Sequence, residues 1–82
     1  MEKIWYVYIL QCKDNSFYTG VTNNIELRMK AHATGKGSKY VHRKGFKKLL
    51  KTKQCKNKSE ACKYEYAIKQ LPRKMKLGWF DY

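Results

Sequence analysis

Two strand-like segments on either side of a short polar turn constrain the fold of this chain more than any other feature. Residues 4–11 and residues 17–21 are rich in β-branched and aromatic side chains, which favour strands. Between them, residues 13–16 have the sequence Lys-Asp-Asn-Ser, in which Asp and Asn bond locally and tolerate a left-handed backbone. We therefore expect a β-hairpin at the start of the chain.

A helix, a basic loop and a third strand are expected after the hairpin. Asn23 or Asn24 is suited to cap this first helix, and Gly35 is suited to end it. Residues 35–45 then predict a basic loop that contains glycine. Residues 46–54 predict an edge strand, because lysines are typical of exposed sheet edges.

A second long helix is expected towards the end of the chain. Ser59 is suited to cap it, with Glu60 in its first turn. Pro72 either ends this helix or begins a shorter one that runs through Leu77. The order β-β-α-β-α predicts one domain over residues 1–82, in which helices pack on a small sheet, an α+β or α/β fold.

The charge of the chain favours a polyanionic partner. Lys and Arg number 19 against six Asp and Glu, which gives a formal net charge of +13. Nucleic-acid-binding proteins carry this kind of excess. A charged face that only maintains solubility is the plain alternative, and an acidic membrane surface is a weaker one. Half of residues 43–58 are basic: Arg43, Lys44, Lys47, Lys48, Lys51, Lys53, Lys56 and Lys58.

The cysteines and the apolar segments indicate a cytoplasmic, water-soluble protein. Cys12, Cys55 and Cys62 are too few and too scattered for a disulfide framework, and no pair has the spacing of a zinc site. A reducing compartment is therefore expected. The first residues do not have the pattern of a signal peptide, and the apolar run over residues 4–10 is too short to span a bilayer.

Five short motifs, in order, carry a resemblance to a known family. Residues 6–8 have the sequence Tyr-Val-Tyr and residues 18–20 the sequence Tyr-Thr-Gly; Arg28, His32 and Glu65 follow. In this order and spacing the chain resembles the GIY-YIG endonuclease superfamily over nearly its whole length. The resemblance is greatest to small stand-alone members and to the N-terminal domain of nucleotide-excision-repair nucleases. It implies a three-stranded, mainly antiparallel sheet flanked by helices, and metal-dependent cleavage of DNA.

The resemblance also implies roles for individual side chains. Tyr18 is the candidate general base, and Tyr8 is a second site residue that orients water or phosphate. Arg28 matches the family's helix arginine and would clamp a phosphate, while His32 would bond the same phosphate or pass a proton. Glu65 matches the metal-binding glutamate, with Mg²⁺ or Mn²⁺ as the cofactor. No small-molecule cofactor is expected.

Two arguments from the residues accompany the implied roles of Glu65 and Tyr18. With six acidic residues the chain could hardly build a carboxylate-rich two-metal site, so one metal on Glu65 is what its composition permits. On a helical wheel Glu65 lies at the margin of an apolar stripe, where a carboxylate needs a partner. Tyr6 and Tyr8 share a strand face, and Tyr18 joins them if the hairpin loop has an odd number of residues.

Each of these residues also has an ordinary structural interpretation. Glu65 could form an ion pair with Arg28 or a lysine. Arg28 could cover apolar neighbours, His32 could make a partly buried polar contact, and the tyrosines could belong to an aromatic core. His42 lies outside the motifs and is expected to be structural or to contact DNA.

Departures from the family pattern shape the expected specificity. Tyr6 stands where the family has glycine, and Val21 stands where some members have lysine. Basic residues elsewhere could supply that charge, and no appended module for sequence targeting is expected. Cleavage is therefore expected to be structure-selective or weakly specific. The expected nucleic-acid contacts are Lys36, Lys39, Arg43, Lys44, Lys47 and Lys48.

The sequence thus predicts a metal-dependent GIY-YIG-type endonuclease that hydrolyses DNA in repair-type or recombination-type processes, as a monomer or weak dimer. The alternative is a non-catalytic module that keeps the fold and binds DNA or RNA. A partner-binding subunit of a larger complex is a third possibility, but it predicts none of the polar residues above.

Overall fold

A three-stranded antiparallel sheet forms the centre of the protein in a computed structural model that describes residues 4–81. Its strands are β1 (Trp5–Cys12), β2 (Phe17–Thr22) and β3 (Phe46–Cys55), in the spatial order β2-β1-β3. Both neighbouring pairs are antiparallel. The expected sheet is therefore confirmed, and it is antiparallel throughout.

The hairpin between β1 and β2 fixes which tyrosines share a face. The Cys12 N–H donates to the Ser16 carbonyl at 2.8 Å, so the loop contains three residues, and Asn15 has the left-handed φ of 70° that such loops require. In the resulting register Tyr8 lies opposite Gly20 and Leu10 opposite Tyr18. Tyr18 therefore lies on the same face as Tyr8, as an odd loop predicts.

The first helix, α1 (Ile25–Ala33), begins and ends close to where the sequence predicts. The Asn24 side chain accepts a hydrogen bond from the Leu27 N–H at 3.0 Å and caps the helix. Gly35 follows the last turn with φ of 81°, a conformation that glycine adopts without strain.

A short helix, α2 (Lys39–Lys44), lies within the segment that the sequence predicts to be a loop. The prediction of a continuous loop over residues 35–45 is therefore wrong. Ser38 caps α2 by accepting from the Tyr40 N–H at 3.1 Å, and Val41 is fully buried. One buried apolar side chain in six residues is too little for a helical period to show in the sequence.

The second long helix, α3 (Lys58–Lys69), begins earlier than expected. Its cap is Asn57, which accepts from the Glu60 N–H at 2.9 Å, so the assignment of Ser59 as the cap is wrong. Glu60 in turn accepts from the Lys56 N–H at 3.0 Å, which ties down the preceding residue. After Pro72 come α4 (Arg73–Lys76) and one 3₁₀ turn, Gly78–Asp81.

Two groups of buried side chains hold the helices on the sheet. The α3 cluster consists of Val7, Cys55, Ala61 and Ile68, with Trp5, Val21, Tyr64, Trp79 and Phe80 packed around it. The α1–α2 cluster consists of Tyr8, Leu10, Cys12 and Val41, with Tyr18, Ile25, Met29, Phe46 and Leu49 around it. Alternate residues of β1 therefore supply opposite sides of the sheet.

Strand β3 has the character of an edge that is protected from pairing with other chains. Its register against β1 skips Leu50 and Lys47, so each forms a bulge, and Lys47 and Lys48 are exposed. The predicted edge position is thus confirmed. Within residues 4–81, no helix has both the length and the apolar character needed to cross a membrane.

Candidate active site

A buried hydrogen bond between Tyr8 and His32 lies at the centre of the α1–α2 side of the sheet. The Tyr8 hydroxyl is 2.9 Å from His32 Nε2, and the two side chains are 1% and 3% exposed. Tyr8 comes from the middle of β1, and His32 comes from the last turn of α1. Strand and helix are thereby joined through polar atoms in an otherwise apolar cluster.

Burial keeps both groups of this pair uncharged. It raises the pKa of Tyr8 well above its usual range, and the neighbouring Tyr18 phenol and Glu65 carboxylate raise it further, while Arg28 opposes them. Burial also lowers the pKa of His32, and the positive charge of Arg28 lowers it further. Tyr8 is therefore a neutral phenol and His32 a neutral imidazole near pH 7.

His32 has one ring nitrogen without a partner. Nδ1 is buried and forms no hydrogen bond with any residue that the structure describes. A Cβ atom at Gly37 would collide with Nδ1, so the glycine lets the backbone of the loop after α1 pass close to the ring. A neutral imidazole carries one N–H, and if it lies on Nε2 the Tyr8 hydroxyl is free to donate to another acceptor.

Gly20 makes room for Tyr8. The two residues are directly opposite in the hairpin, and a Cβ atom at Gly20 would lie 2.6 Å from the Tyr8 hydroxyl oxygen. No real Cβ atom approaches so closely, so any larger residue would displace the Tyr8 ring. This contact gives a physical reason for glycine in the second motif.

Tyr18 is more exposed to solvent than Tyr8 and lies beside both Tyr8 and His32. Its ring centroid is 6.5 Å from that of Tyr8 and 5.6 Å from that of His32, and the side chain is half-buried. On α2, Tyr40 stacks on Tyr18 with a centroid distance of 5.9 Å and an interplanar angle of 25°. Phe46 stacks on the His32 ring at 6.4 Å.

Arg28 brings a positive charge to the same place. It lies one helical turn before His32 on α1 and is half-buried, and its charge affects the pKa values of both Tyr8 and His32. No carboxylate among residues 4–81 lies within 4.0 Å of its guanidinium. The positive charge of Arg28 is therefore available to an anion.

Glu65 lies on α3, and most of its side chain is buried. Its carboxylate raises the pKa of Tyr8, and its side chain is 24% exposed. An ion pair with Lys69 one turn later has an N–O distance of 3.5 Å, so the alternative of an ordinary ion pair is present, with Lys69 as the partner. In the described part of the chain, no three His, Cys, Asp or Glu side chains form a group that could hold a metal.

The predicted nucleic-acid-binding residues are all exposed, but they occupy two places. Lys36, Lys39 and Arg43 line an open depression of about 510 Å³ beside α2. Near the hairpin turn, Lys44 pairs with Asp14 at 3.2 Å and Lys47 bonds Asn15 at 3.4 Å. His42 also lines the depression and packs against Gly35.

The structure thus brings Tyr8, Tyr18, Arg28 and His32 together and places Glu65 within electrostatic range of them. Lys47 and Lys48 lie farther along, at the start of β3. Sequence reasoning missed three neighbours of the site, namely Gly37, Tyr40 and Phe46. Tyr40 carries a signal, as an aromatic residue within a basic segment.

Comparison with known proteins finds a matching family model and similar relatives. Residues 4–78 match the model of the GIY-YIG catalytic domain. A UPF0213 protein of Oceanobacillus iheyensis is 51% identical over 82 residues, which is 100% of this chain and 95% of the relative. One from Clostridium perfringens is 54% identical over 72 residues, 88% of this chain and 77% of the relative.

A solved structure shares the fold. The solution NMR structure of a UPF0213 protein from Bacillus halodurans is 45% identical to this chain and superposes with a TM-score of 0.57, covering 93% of this chain and 81% of that one. GIY-YIG domains are catalytic domains of a nuclease family that acts on DNA and generally uses divalent metals. The family model and the relatives together show that this chain belongs to the GIY-YIG family, among its UPF0213 members.

Proposed function

We propose that this protein is a metal-dependent endonuclease that hydrolyses DNA phosphodiester bonds with structure selectivity or weak sequence specificity. The observation that carries the proposal is the grouping of Tyr18 and Arg28 around the buried Tyr8–His32 pair, with Glu65 close enough for its charge to raise the pKa of Tyr8. Phosphodiester hydrolysis needs an activated water, stabilisation of charge on the phosphoryl oxygens and help for the leaving oxygen, and these side chains can supply such roles. The expected setting is the processing of cytoplasmic DNA in repair or recombination.

Glu65 fits a single Mg²⁺ or Mn²⁺ ion. Its side chain is three-quarters buried, and among residues 4–81 its only ion-pair partner is the exposed Lys69 at 3.5 Å. Its negative charge raises the pKa of Tyr8. Mg²⁺ requires one or two carboxylates and completes its octahedron with water and substrate phosphate oxygens. When bound, the metal would stabilise negative charge on the phosphoryl group and on the leaving oxygen.

Tyr18 is the proposed general base. Tyr8 is unsuited to that role because burial raises its pKa and its hydroxyl is engaged with His32. Tyr18 lies beside the same pair but is half-buried, so a water molecule can reach its hydroxyl. In this assignment the phenolate form of Tyr18 takes the proton of the attacking water and becomes a neutral phenol.

The remaining residues hold the phosphate. Arg28 has no carboxylate partner among the described residues, and its planar guanidinium can bind two phosphate oxygens at once. With the imidazole proton on Nε2, His32 donates to the Tyr8 oxygen and the Tyr8 hydroxyl donates to a phosphate oxygen. The basic residues along α2 would bind the flanking strand through its phosphates.

A cleavage assay tests the proposal. Labelled duplex, flapped, branched and single-stranded DNA are incubated with Mg²⁺, Mn²⁺ or EDTA and with wild type, Glu65→Ala or Glu26→Ala. Glu26 is an exposed carboxylate on α1 and serves as the matched control. We expect metal-dependent product from wild type and Glu26→Ala, and a rate lower by at least about 10³-fold for Glu65→Ala, since the metal supplies several kcal/mol. Equal cleavage by Glu65→Ala would contradict the proposal.

A non-catalytic module that binds DNA or RNA is the second candidate. The Glu65–Lys69 ion pair favours it, because a lysine already satisfies the carboxylate. This candidate predicts that wild type and Glu65→Ala bind nucleic acid equally and that neither forms product in any metal. Both candidate functions predict that nucleic-acid affinity falls as the salt concentration rises, because binding releases counterions. Only the formation of cleavage product separates them.

A further inference from the structure

Tyr40 presents an aromatic ring to solvent at the border of the site. Its side chain is 37% exposed although it is a large apolar group. The ring is held in place by stacking on Tyr18 at 5.9 Å and 25°. The Lys44 ammonium lies 5.9 Å from the ring centroid, which is a loose cation–π contact.

The residues around Tyr40 have the composition of a platform for single nucleic-acid strands. Lys39, Arg43 and Lys44 share its helix, and all three are exposed. Proteins that bind unpaired strands combine aromatic rings, on which bases stack, with basic residues that follow the backbone. Because one face of Tyr40 stacks on Tyr18, a base on the other face would be one ring away from the residue proposed to activate water.

We propose that Tyr40 is a stacking site for one unpaired nucleobase next to the phosphate that is cut, in a DNA or RNA strand. The base would extend the stack formed by Tyr18 and Tyr40, and Lys44 would turn from the ring to a neighbouring phosphate. A base inside a duplex is stacked on both faces, so it cannot reach Tyr40 without leaving the helix. The platform therefore selects strands that are unpaired at this nucleotide. The position of the cut rests on the proposed function, but the stacking does not.

The test separates stacking from cleavage. 2-Aminopurine, whose fluorescence falls on stacking, is placed in turn at each position of a short oligonucleotide. Binding is measured with proteins that carry Glu65→Ala, so that nothing is cut. The set adds Tyr40→Phe, which keeps the ring, Tyr40→Leu, which removes it, and Tyr66→Leu on α3. Tyr66 is 70% exposed and serves as the matched control, and circular dichroism checks the fold of each variant.

We expect quenching at one position with the parent protein, Tyr40→Phe and Tyr66→Leu, and its loss with Tyr40→Leu. The affinity of Tyr40→Leu for the unpaired strand should fall by roughly 5- to 150-fold, the usual effect of removing one base-stacking ring, and its affinity for duplex should be unchanged. Quenching that survives in Tyr40→Leu, or an equal loss of affinity for duplex and single strand, would overturn the inference.

Cleavage then separates this inference from the proposed function. If quenching depends on Tyr40 but wild type cuts no substrate, the stacking site stands and the nuclease proposal fails. If wild type cuts and Tyr40→Leu retains full preference for unpaired strands, the nuclease proposal stands and the stacking site fails.

Discussion

The two sides of the sheet are built from the same strand but by different rules. On the α3 side, Val7 packs against Ala61 and Ile68, and the buried cluster is apolar apart from one thiol. On the α1–α2 side, Tyr8 is equally buried but shares a hydrogen bond with His32, whose Nδ1 has no partner among the described residues. Apolar burial stabilises a fold, whereas an unsatisfied buried polar atom costs free energy.

This difference indicates where the protein gives up stability for chemistry. Phe in place of Tyr8 together with Leu in place of His32 would fill similar space without an unpaired nitrogen. Natural proteins depart from the rule of satisfied polar groups mainly at functional sites. The α3 side should therefore respond to mutation through stability, and the α1–α2 side through activity.

Truncation of Ile68 should have the largest effect on stability, and it tests whether the two sides of the sheet differ in their roles. Ile68→Ala should lower the free energy of unfolding by about 2–5 kcal/mol, because it leaves a cavity at a fully buried site. Cleavage per folded molecule should be unchanged. Urea denaturation and rate measurements well below the melting temperature check both statements.

A milder variant guards against complete unfolding of so small a domain. Ile68→Val should cost about 0.5–1.5 kcal/mol, again without a change in rate per folded molecule. A rate that falls in proportion to stability in both variants would show that the two sides are not separable.

A methyl group at Gly20 tests the α1–α2 side of the sheet. The Cβ of Gly20→Ala would lie 2.6 Å from the Tyr8 hydroxyl oxygen, so the ring must move and its bond to His32 must weaken. We expect the free energy of unfolding to fall by about 1–3 kcal/mol because of overpacking. The cleavage rate should fall by more than the loss of folded protein explains. Gly78→Ala is the matched control, because its Cβ would meet no atom within 4 Å. Full activity of Gly20→Ala would show that the position of Tyr8 is unimportant.

The pH dependence of stability gives the smallest effect. Burial lowers the pKa of His32 below its ordinary value of about 6.5, so the unfolded chain takes up a proton before the folded one does. Stability should therefore be retained above about pH 6.5 and fall as the pH drops towards the folded pKa, by at most about 1.4 kcal/mol per unit from this one proton.

Denaturation of His32→Gln and His42→Gln between pH 7 and pH 5 measures this slope. His42→Gln leaves the buried ring in place and should keep it, while His32→Gln should reduce it. An undiminished slope in His32→Gln would mean that other groups cause the dependence.

The sequence predicts the backbone of this protein better than the surroundings of its site. The hairpin, its odd loop and the Asn24 cap follow from turn and capping preferences that act over a few residues. The prediction of Ser59 as the cap of α3 is wrong because Asn57 and Ser59 are both residues that favour cap positions. The choice depends on the hydrogen bond from the Lys56 N–H to Glu60. Local patterns cannot decide between such neighbours.

The neighbours of His32 could not be predicted for a different reason. Gly37 and Phe46 contact the ring from either end of the segment that contains α2, and α2 is too short to leave a period in the sequence. The stacking of Tyr40 on Tyr18 is likewise a contact between distant segments. The motif residues were found through family resemblance, which carries such long-range information where composition does not.

Removal of the hydroxyl oxygen of Tyr18 is the strongest test of this residue as the general base of a metal-dependent endonuclease. Tyr18→Phe keeps the ring that packs between Tyr8, His32 and Tyr40, so the melting temperature should be unchanged. Metal-dependent cleavage should fall by at least about 100-fold, the usual contribution of a general base. Tyr66→Phe, at an exposed position on α3, should keep the wild-type rate. Cleavage by Tyr18→Phe at the wild-type rate would contradict the account.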